Sequence, residues 1–465
     1  MQIDADSAWR ARLASFFAAL KWPIASRERA ALTGIVLVFV TVGLVEAVSV
    51  PGFAPLDEPR HLAYAVALTH GKLPTVFDKL PFDRLGREPV HGSHLVTAAN
   101  HPPLYYVLVA CALELAGGEA ELARGLFFAR ILTLLLATVG LVYAYRALRH
   151  VTPERPEIAL AAVAGVASTP AFVNCSAVIM NDALAFLAAA GLFDAALSIL
   201  LRGPSRRASI GLAVFATMSA LTRFAGLLLL PVAFVAVFAG YWLHDEGAPI
   251  RRLLRAAVPC AAALACAAAF SGYFYRRNLV LYDDVTGARA LLTELHRAPR
   301  ASFIHQATSG ERWLDLLDGL FDKLAGGVDV KGLDAPGRAL FALGAFGLGR
   351  AAFRARKRLA RAPHRDAQIL ACAAMLLAFA AVALPIFEFY ARGGGLSARY
   401  AFPALWVVWF FVALGLATFD GAVVPAAATG AAVWSFVAAE LYLTHFFGAR
   451  GGGEIAMLRA LEKSS

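Results

Sequence analysis

The sequence predicts an all-α, polytopic membrane protein of about eleven transmembrane helices, with interfacial helices on its outer side. Three observations support this class. The 465-residue chain is 59% hydrophobic and only 16% charged, whereas a soluble domain carries roughly 25% charged residues. Several windows of about 18 or more apolar residues are long enough to cross a bilayer. Arginines cluster in the short segments between those windows, as the positive-inside rule describes for cytoplasmic loops.

The net charge of +10 is the main argument for a nucleic-acid partner. The distribution of the charge argues against one, because the basic residues lie in short loops between apolar segments. The five cysteines are scattered and form no CxxC pair. The sequence therefore predicts no nucleic-acid partner, no disulfide framework and no zinc knuckle.

The first predicted span covers residues 31–50 and follows the basic residues Arg27 and Arg29. The N-terminus is therefore expected in the cytoplasm. The stretch "LDEPRH", residues 56–61, then emerges on the opposite side, which in a bacterium is the periplasm. We expect a multi-pass protein of the bacterial inner membrane with its functional residues facing the periplasm.

The segment 102–116 decides the topology of the rest of the chain. If it crossed, the arginine-rich stretch 350–365 and the other basic loops would lie outside. If it does not cross, those loops all become cytoplasmic, which the positive-inside rule favours. At about 15 residues the segment is also short for a span, which needs about 20. We predict an interfacial or re-entrant helix here.

The remaining apolar windows follow from this choice. The predicted spans are 31–50, 125–147, 158–178, 183–201, 208–222, 225–243, 254–275, 336–350, 367–388, 400–419 and 422–446.

These spans predict a single transmembrane domain over residues 1–450 and a tail over 451–465. Two long outer loops, 51–124 and 276–335, are expected to be functional, because long loops in compact domains usually are. No internal repeat is visible, so the sequence does not favour an inverted-repeat transporter.

Acidic residues occur at two outer helix ends. Asp57 and Glu58 precede Pro59, so they suit the cap of a helix. A carboxylate there also suits a general base, provided that its surroundings raise its basicity. Asn181 and Asp182 lie at the outer end of the span 183–201. An aspartate there complements the helix dipole, or it shares one site with Asp57.

Four arginines lie on the outer side, against the positive-inside rule. They are Arg223, Arg276, Arg277 and Arg399. A single arginine of this kind often extends its charged end to the membrane surface. Four of them on one side predict a common anion site, in which charge-assisted hydrogen bonds would hold a phosphate.

Histidines and tyrosines of the first outer loop are further candidates. "NHPPLYY", residues 100–106, suits an aromatic belt entering a helix, or it places His101 near an anionic group. His61, His91, His94 and His101 lie beside carboxylates, a composition compatible with a divalent cation. Their spacing matches no zinc motif, so the sequence leaves open whether a metal ion is bound.

Six stretches together resemble a known family. They are "LDEPRHLAYAVALTHGKLP", "NHPPLYY", "NDALAFL", "ALTRFAGLLLLP", "YFYRRNLVLYDD" and "ARYAFPAL". In this order they are similar to lipid-carrier-dependent glycosyltransferases of the C type, such as protein O-mannosyltransferases and the lipid A aminoarabinose transferase. The resemblance covers residues from about 30 to 420 and depends on the order and spacing of the motifs, since no single motif is specific.

The resemblance implies a bundle of membrane helices with interfacial helices in the first outer loop. It implies that Asp57 is the catalytic carboxylate and that Asp182 is the second acid of the outer face. The family's "KPP" is "HPP" here, so His101 would replace a phosphate-contacting lysine. Arg399 and Tyr400 match the family's "RY". Some members carry a soluble C-terminal domain, which is not expected in this chain.

The implied reaction is inverting transfer of a sugar from a polyprenyl-phosphate donor to a hydroxyl of a lipid, glycan or protein. Asp57 would be the base, and Glu58 and Asp182 would orient the acceptor or a metal ion. The donor phosphate would contact His101, Arg223, Arg276, Arg277, Arg399 and Tyr400, and His61, Tyr105 and Asn181 would support the acceptor or the loops.

Two other functions remain open at this point: a lipid or lipid-linked-sugar transporter without chemistry, and an accessory protein that presents the lipid-linked sugar. For the enzyme, we expect Asp57, Asp182 and the four arginines to converge on one cavity.

Overall fold

The computed structural model of the protein describes residues 26–50, 52, 57–80, 95–321, 323–324, 328–329, 334–355, 363–419 and 423–448. The predicted tail 451–465 lies outside these ranges. The first ten helices are α1 (Ser26–Ser49), α2 (Glu58–Thr69), α3 (Leu104–Leu115), α4 (Leu122–Val151), α5 (Pro156–Ala167), α6 (Pro170–Ser176), α7 (Asp182–Arg202), α8 (Arg206–Ala220), α9 (Phe224–His244) and α10 (Pro249–Tyr282).

The second half of the chain adds α11 (Ala288–Glu294), α12 (Phe303–Thr308), α13 (Gly310–Asp318), α14 (Asp334–Ala355), α15 (Pro363–Ala391), α16 (Leu405–Leu416) and α17 (Val423–Gly448). A 3₁₀ helix, Ala398–Ala404, leads directly into α16. Two short strands, β1 (Lys323–Leu324) and β2 (Val328–Asp329), pair antiparallel. The predicted all-α class is confirmed.

Eight helical segments among the described residues are long and apolar enough to cross a membrane, and the pair α5–α6, bent by 66°, makes a ninth if it counts as one span. The protein is thus a multi-pass membrane protein. The predicted count of about eleven is not confirmed. The spans predicted at 208–222 and 336–350 do form helices, α8 and α14, but α8 has only 15 residues and α14 carries charged residues towards both ends.

Helix α3 corresponds to the segment that was predicted not to cross. Its 12 residues extend about 18 Å at 1.5 Å per residue, far less than the ~30 Å hydrocarbon core of a bilayer. It packs against α2 through the stacked rings of Tyr64 and Tyr106, whose centroids are 3.8 Å apart. The two short helices form one layer at the end of the bundle.

Helix α7 is the centre of the bundle, buried along nearly its whole length. It packs against α4, α8 and α9, and it is apolar nearly all round, as an enclosed helix should be, with a buried Asp194 that pairs with Arg146. Where α14 crosses α16, the backbones approach so closely that a Cβ on Gly415 would lie 2.0 Å from the carbonyl oxygen of Gly344. Small residues permit this contact between membrane helices.

Candidate active site

One cavity of about 1160 Å³ opens at the end of the bundle that carries the start of α2. Asp57, Asp182, Arg223 and Arg399 all line it, although they come from four separate parts of the chain. The convergence expected for the two acids and the arginines is therefore found for two of the four arginines. We call this group of four residues the inner cluster.

Asp57 occupies the N-cap position of α2, but its side chain makes no capping hydrogen bond. Oδ1 instead accepts a hydrogen bond of 2.6 Å from Nη1 of Arg60. Oδ2 accepts one from Nη2 of Arg399. The carboxylate thus binds two arginine side chains of the cavity and none of the free backbone N–H groups at the start of α2.

The surroundings of Asp57 act on its pKa in opposite directions. Burial raises the pKa, but the charges of Arg399 and Arg60 outweigh burial and hold the pKa well below its ordinary value. The carboxylate is therefore ionised at neutral pH and ready to accept a proton. Its basicity is lowered in this state, not raised as a strong general base requires.

Asp182 begins α7 and forms the second ion pair of the inner cluster, with Arg223 through Oδ1. Its Oδ2 is buried and has no hydrogen-bond partner among the described residues, and the same is true of Oδ1 of Asn181. A buried polar atom without a partner is costly. Because both residues line the cavity, a bound ligand could satisfy these two acceptors.

The ring of Tyr400 holds the two arginines of the inner cluster on one wall. The guanidinium carbon of Arg223 lies 5.2 Å from the ring centroid and that of Arg399 lies 5.3 Å from it. Both distances are within the range of cation–π attraction. Tyr400 therefore gathers two cations that each already pair with a carboxylate.

Two histidines line the same cavity. Nδ1 of His61 is 3.0 Å from the hydroxyl of Tyr106. Burial, only partly opposed by Asp57, lowers the pKa of His61 to about 4. Burial and then the charge of Arg223 lower the pKa of His101 well below its ordinary value. Both rings are neutral at pH 7, so His101 does not supply the charge of a lysine.

Glu58 does not line the cavity. Its carboxylate forms two hydrogen bonds, of 2.7 and 2.6 Å, with the guanidinium of Arg130, and both side chains are completely buried. Glu58 also accepts a bond of 3.1 Å from the backbone N–H of Ile179. Arg130 donates to the carbonyl oxygens of Ala47 and Val50. This pair joins α1, α2, α4 and the loop before α7.

Three other predicted site residues also lie away from the cavity lining. Arg276 is exposed on α10, and Nη2 of Arg277 donates to the carbonyl oxygens of Leu73 and Pro74. The hydroxyl of Tyr105 lies 2.7 Å from that of Thr133, in the core. Helix α10 continues to Tyr282 instead of ending near residue 275, which carries both arginines past the expected rim.

Four cavity arginines were not predicted as site residues: Arg60, Arg297, Arg300 and Arg392. A signal existed for Arg60, because residues three apart share one face of a helix and Arg60 follows Asp57 by three. Arg297 and Arg300 lie on one segment and Arg392 lies on a distant one, and no local pattern marks them as site residues.

Within the described residues, no group of three or more His, Cys, Asp or Glu side chains could hold a metal ion. His91 and His94, which with His61 and His101 make up the possible metal site of the sequence, lie outside the described residues.

No family model matches the sequence, and no curated protein matches it. Solved structures do match. ArnT from Cupriavidus metallidurans, bound to undecaprenyl phosphate, aligns with a TM-score of 0.50 and 15% identity over 93% of this chain and 75% of ArnT. The oligosaccharyltransferase of Archaeoglobus fulgidus, in complex with Zn and sulfate, aligns with a TM-score of 0.50 and 16% identity over 89% of this chain.

The chain has the fold of C-type glycosyltransferases. The predicted resemblance is thereby confirmed for the architecture. The chain spans 53% of the archaeal enzyme. It spans 37% of the matched chain of the S. cerevisiae O-mannosyltransferase complex Pmt1–Pmt2, which aligns with 59% of this chain at a TM-score of 0.43 and 16% identity. Identities this low establish the C-type fold and no more.

Proposed function

We propose that the protein transfers a sugar from a polyprenyl-phosphate donor to an acceptor hydroxyl, with inversion at the anomeric carbon. The observation that carries the proposal is the ion pair between Asp57 and Arg399 on the wall of a large cavity. One member of the pair suits proton removal, and the other suits a phosphate. The carrier class is that of undecaprenyl phosphate, to which ArnT is bound in its structure.

The phosphate of the donor would dock on Arg399 and Arg223. Both guanidinium groups line the cavity and lie against the ring of Tyr400. Guanidinium forks suit phosphate oxygens because several N–H groups can bond at once. As the glycosidic bond breaks, negative charge grows on the leaving phosphate, and these cations stabilise it most when it is fully developed.

Binding of the donor would also activate the base. Among the neighbouring charges, Arg399 lowers the pKa of Asp57 most strongly. When a phosphate shares Arg399, the hold on Oδ2 weakens and the pKa of Asp57 rises towards its ordinary value. The basicity of Asp57 is thus coupled to the presence of the donor.

In the proposed transfer step, the residues of the cavity account for the proton, the attacking oxygen and the leaving group. Asp57 takes the proton of the acceptor hydroxyl, and the oxygen attacks the anomeric carbon from the face opposite the phosphate. A new carbon–oxygen bond forms, the carbon–phosphate-oxygen bond breaks, and the polyprenyl phosphate leaves with the electron pair. Oδ2 of Asp182, which lacks a partner among the described residues, would orient the acceptor.

We assign Glu58 a positioning role. Its bond to Ile179 fixes the loop that precedes Asp182, and its pair with Arg130 fixes the start of α2. The neutral His61 and His101 would contact the sugar or phosphate as hydrogen-bonding groups. Arg27 and Arg29, which precede the first apolar window, favour a cytoplasmic N-terminus, and we propose that the cavity faces the periplasm from the inner membrane.

The test uses the purified chain with undecaprenyl-phosphate-linked sugars and membrane extracts as a source of lipid, glycan and protein acceptors. We expect labelled sugar to move to an acceptor while undecaprenyl phosphate is released in equal amount. Mass spectrometry of envelope glycans from a deletion strain would identify the product. Binding of the donor without turnover, but with movement of the lipid across vesicles, would overturn the proposal in favour of a transporter.

A further inference from the structure

Besides Arg60, which pairs with Asp57, three arginines line the same cavity outside the inner cluster: Arg297, Arg300 and Arg392. We call them the outer cluster. The segment after α11 packs on the end of α15. There the backbone N–H of Arg300 donates to the carbonyl oxygen of Ala391 at 2.7 Å, and Nη1 of Arg300 donates to the carbonyl oxygen of Gly394 at 2.6 Å. Backbone and side chain of Arg300 therefore both fix this junction.

A glycine makes the close approach possible. Gly393 has φ +104°, and a Cβ there would lie 2.6 Å from the carbonyl oxygen of Ala298 and 3.2 Å from Cβ of Arg297. Only glycine adopts this backbone conformation without strain and leaves the space free. The segments that carry Arg297 and Arg392 thus pack in direct contact.

The outer cluster has an excess of positive charge. Arg392 pairs with Glu388 at 2.7 Å, and both side chains are exposed. Arg300 lies over the ring of Tyr390, 4.1 Å from its centroid. Among the described residues, no carboxylate forms a salt bridge with Arg297 or Arg300.

Besides Glu388, one other carboxylate of the described residues, that of Asp284, faces this region, and it already accepts hydrogen bonds from its own turn. Asp284 lines the cavity and accepts hydrogen bonds from Thr286 and from the backbone N–H of Arg289. Three arginines therefore face two carboxylates, one of which is held by its own turn. Exposed arginines without a carboxylate partner, gathered at a cavity, are suited to an anion.

The outer and inner clusters are close enough for two anions to bind in the cavity at the same time, one on each cluster. Arg392 and Arg399 are seven residues apart, so at most about 25 Å separates them. We infer that Arg297, Arg300 and Arg392 form a second anion-binding subsite for a phosphate-class group, carried by the acceptor or by a diphosphate form of the carrier. The inference rests on the proposed function only in assigning the donor phosphate to Arg399.

The experiment measures calorimetric binding of inorganic phosphate to the purified full chain, before and after saturation with undecaprenyl phosphate. The test variant is Arg297→Gln/Arg392→Gln, which leaves the junction bonds of Arg300 intact. Arg289→Gln is the matched control, because Arg289 is exposed on α11, eight residues before Arg297, but does not line the cavity. Unchanged thermal unfolding would show that each variant is folded.

With the carrier bound, we expect the native chain and Arg289→Gln to bind phosphate equally. The double variant should bind it at least fivefold more weakly, while its Kd for undecaprenyl phosphate changes less than twofold. The inference is overturned if the carrier abolishes phosphate binding, if the double variant behaves like Arg289→Gln, or if it loses undecaprenyl phosphate as Arg399→Gln should.

Two further arms complete the test. A chain that fails to bind undecaprenyl phosphate contradicts the proposed function, yet weaker phosphate binding by the double variant than by Arg289→Gln would still support the subsite.

Undecaprenyl diphosphate identifies the source of the anion. If the double variant weakens the diphosphate but not the monophosphate, the group is the carrier's second phosphate; if it weakens neither, while free phosphate binding falls, the group belongs to the acceptor.

Discussion

Asp57 and Arg399 are 342 residues apart in the sequence and form an ion pair on the cavity wall. The two groups to which the proposed reaction assigns the proton and the phosphate therefore neutralise each other when no ligand is present. A donor phosphate must compete for Arg399 before Asp57 becomes a better base. This arrangement predicts that the donor binds before the acceptor hydroxyl is activated.

Asp57→Asn should reduce sugar transfer at least 100-fold, because an amide cannot accept the proton and general base catalysis contributes roughly 10²–10⁴-fold. Binding of undecaprenyl phosphate should be kept or become tighter, since Arg399 loses its competing partner. Initial rates and calorimetry measure the two effects. Asp283→Asn is the control: Asp283 has φ +50°, which asparagine tolerates. Full transfer by Asp57→Asn would refute the assignment of the base.

Arg399→Gln and Arg276→Gln test which of the arginines predicted from the sequence bind the donor phosphate. Arg399 lines the cavity, whereas Arg276 is exposed outside it. Loss of a hydrogen bond to a charged group costs about 1.5–3 kcal/mol, or roughly 10- to 100-fold in Kd. We expect that loss for undecaprenyl phosphate with Arg399→Gln and less than a twofold change with Arg276→Gln. Equal losses in both variants would return Arg276 to the phosphate site.

The order of the membrane helices could be predicted from the sequence because each span is a local apolar window. Every predicted span coincides with a helix or with the bent pair α5–α6. The helix ends are less predictable, because the length of an apolar window does not show how far the helix extends beyond the membrane. The predicted span ends at residue 275, whereas α10 continues to Tyr282. Arg276 and Arg277 therefore lie within the helix and do not line the cavity.

The distinction between Asp57 and Glu58 could not be predicted either. The two acids are adjacent at the start of α2, and successive residues on a helix point about 100° apart. One side chain faces the cavity and the other faces Arg130. Which residue faces which partner depends on how α2 sits against α4, a contact between distant segments that no local pattern encodes.

Removal of one partner from the buried pair Glu58–Arg130 should destabilise the protein. Both side chains are fully buried, and an uncompensated buried charge costs about 3–5 kcal/mol. We expect Glu58→Met and Arg130→Met each to lower the free energy of unfolding by that amount, and the double variant to lose much less than their sum. Denaturant titration of all three variants in detergent measures the cycle. Strict additivity would show that the pair contributes no coupling.

The buried histidines predict that stability falls as the solution becomes mildly acidic. The pKa of His61 is about 4 in the folded chain, against an ordinary value of 6.5. Between these two values the unfolded chain binds a proton that the folded chain does not, so each step down in pH favours unfolding. His101 shifts in the same direction. Asp57 does not contribute in this window, because its ordinary pKa of 3.8 is lowered further on folding.

The check compares thermal unfolding at pH 7.5 and pH 5.0 for the native chain, His61→Gln and His70→Gln. We expect the native chain to lose on the order of 1–3 kcal/mol and His61→Gln to lose less, since glutamine takes up no proton. His70 is exposed at the end of α2, so its replacement should leave the pH dependence unchanged. If His61→Gln showed the full native pH dependence, His61 would not be the buried neutral ring that the cavity requires.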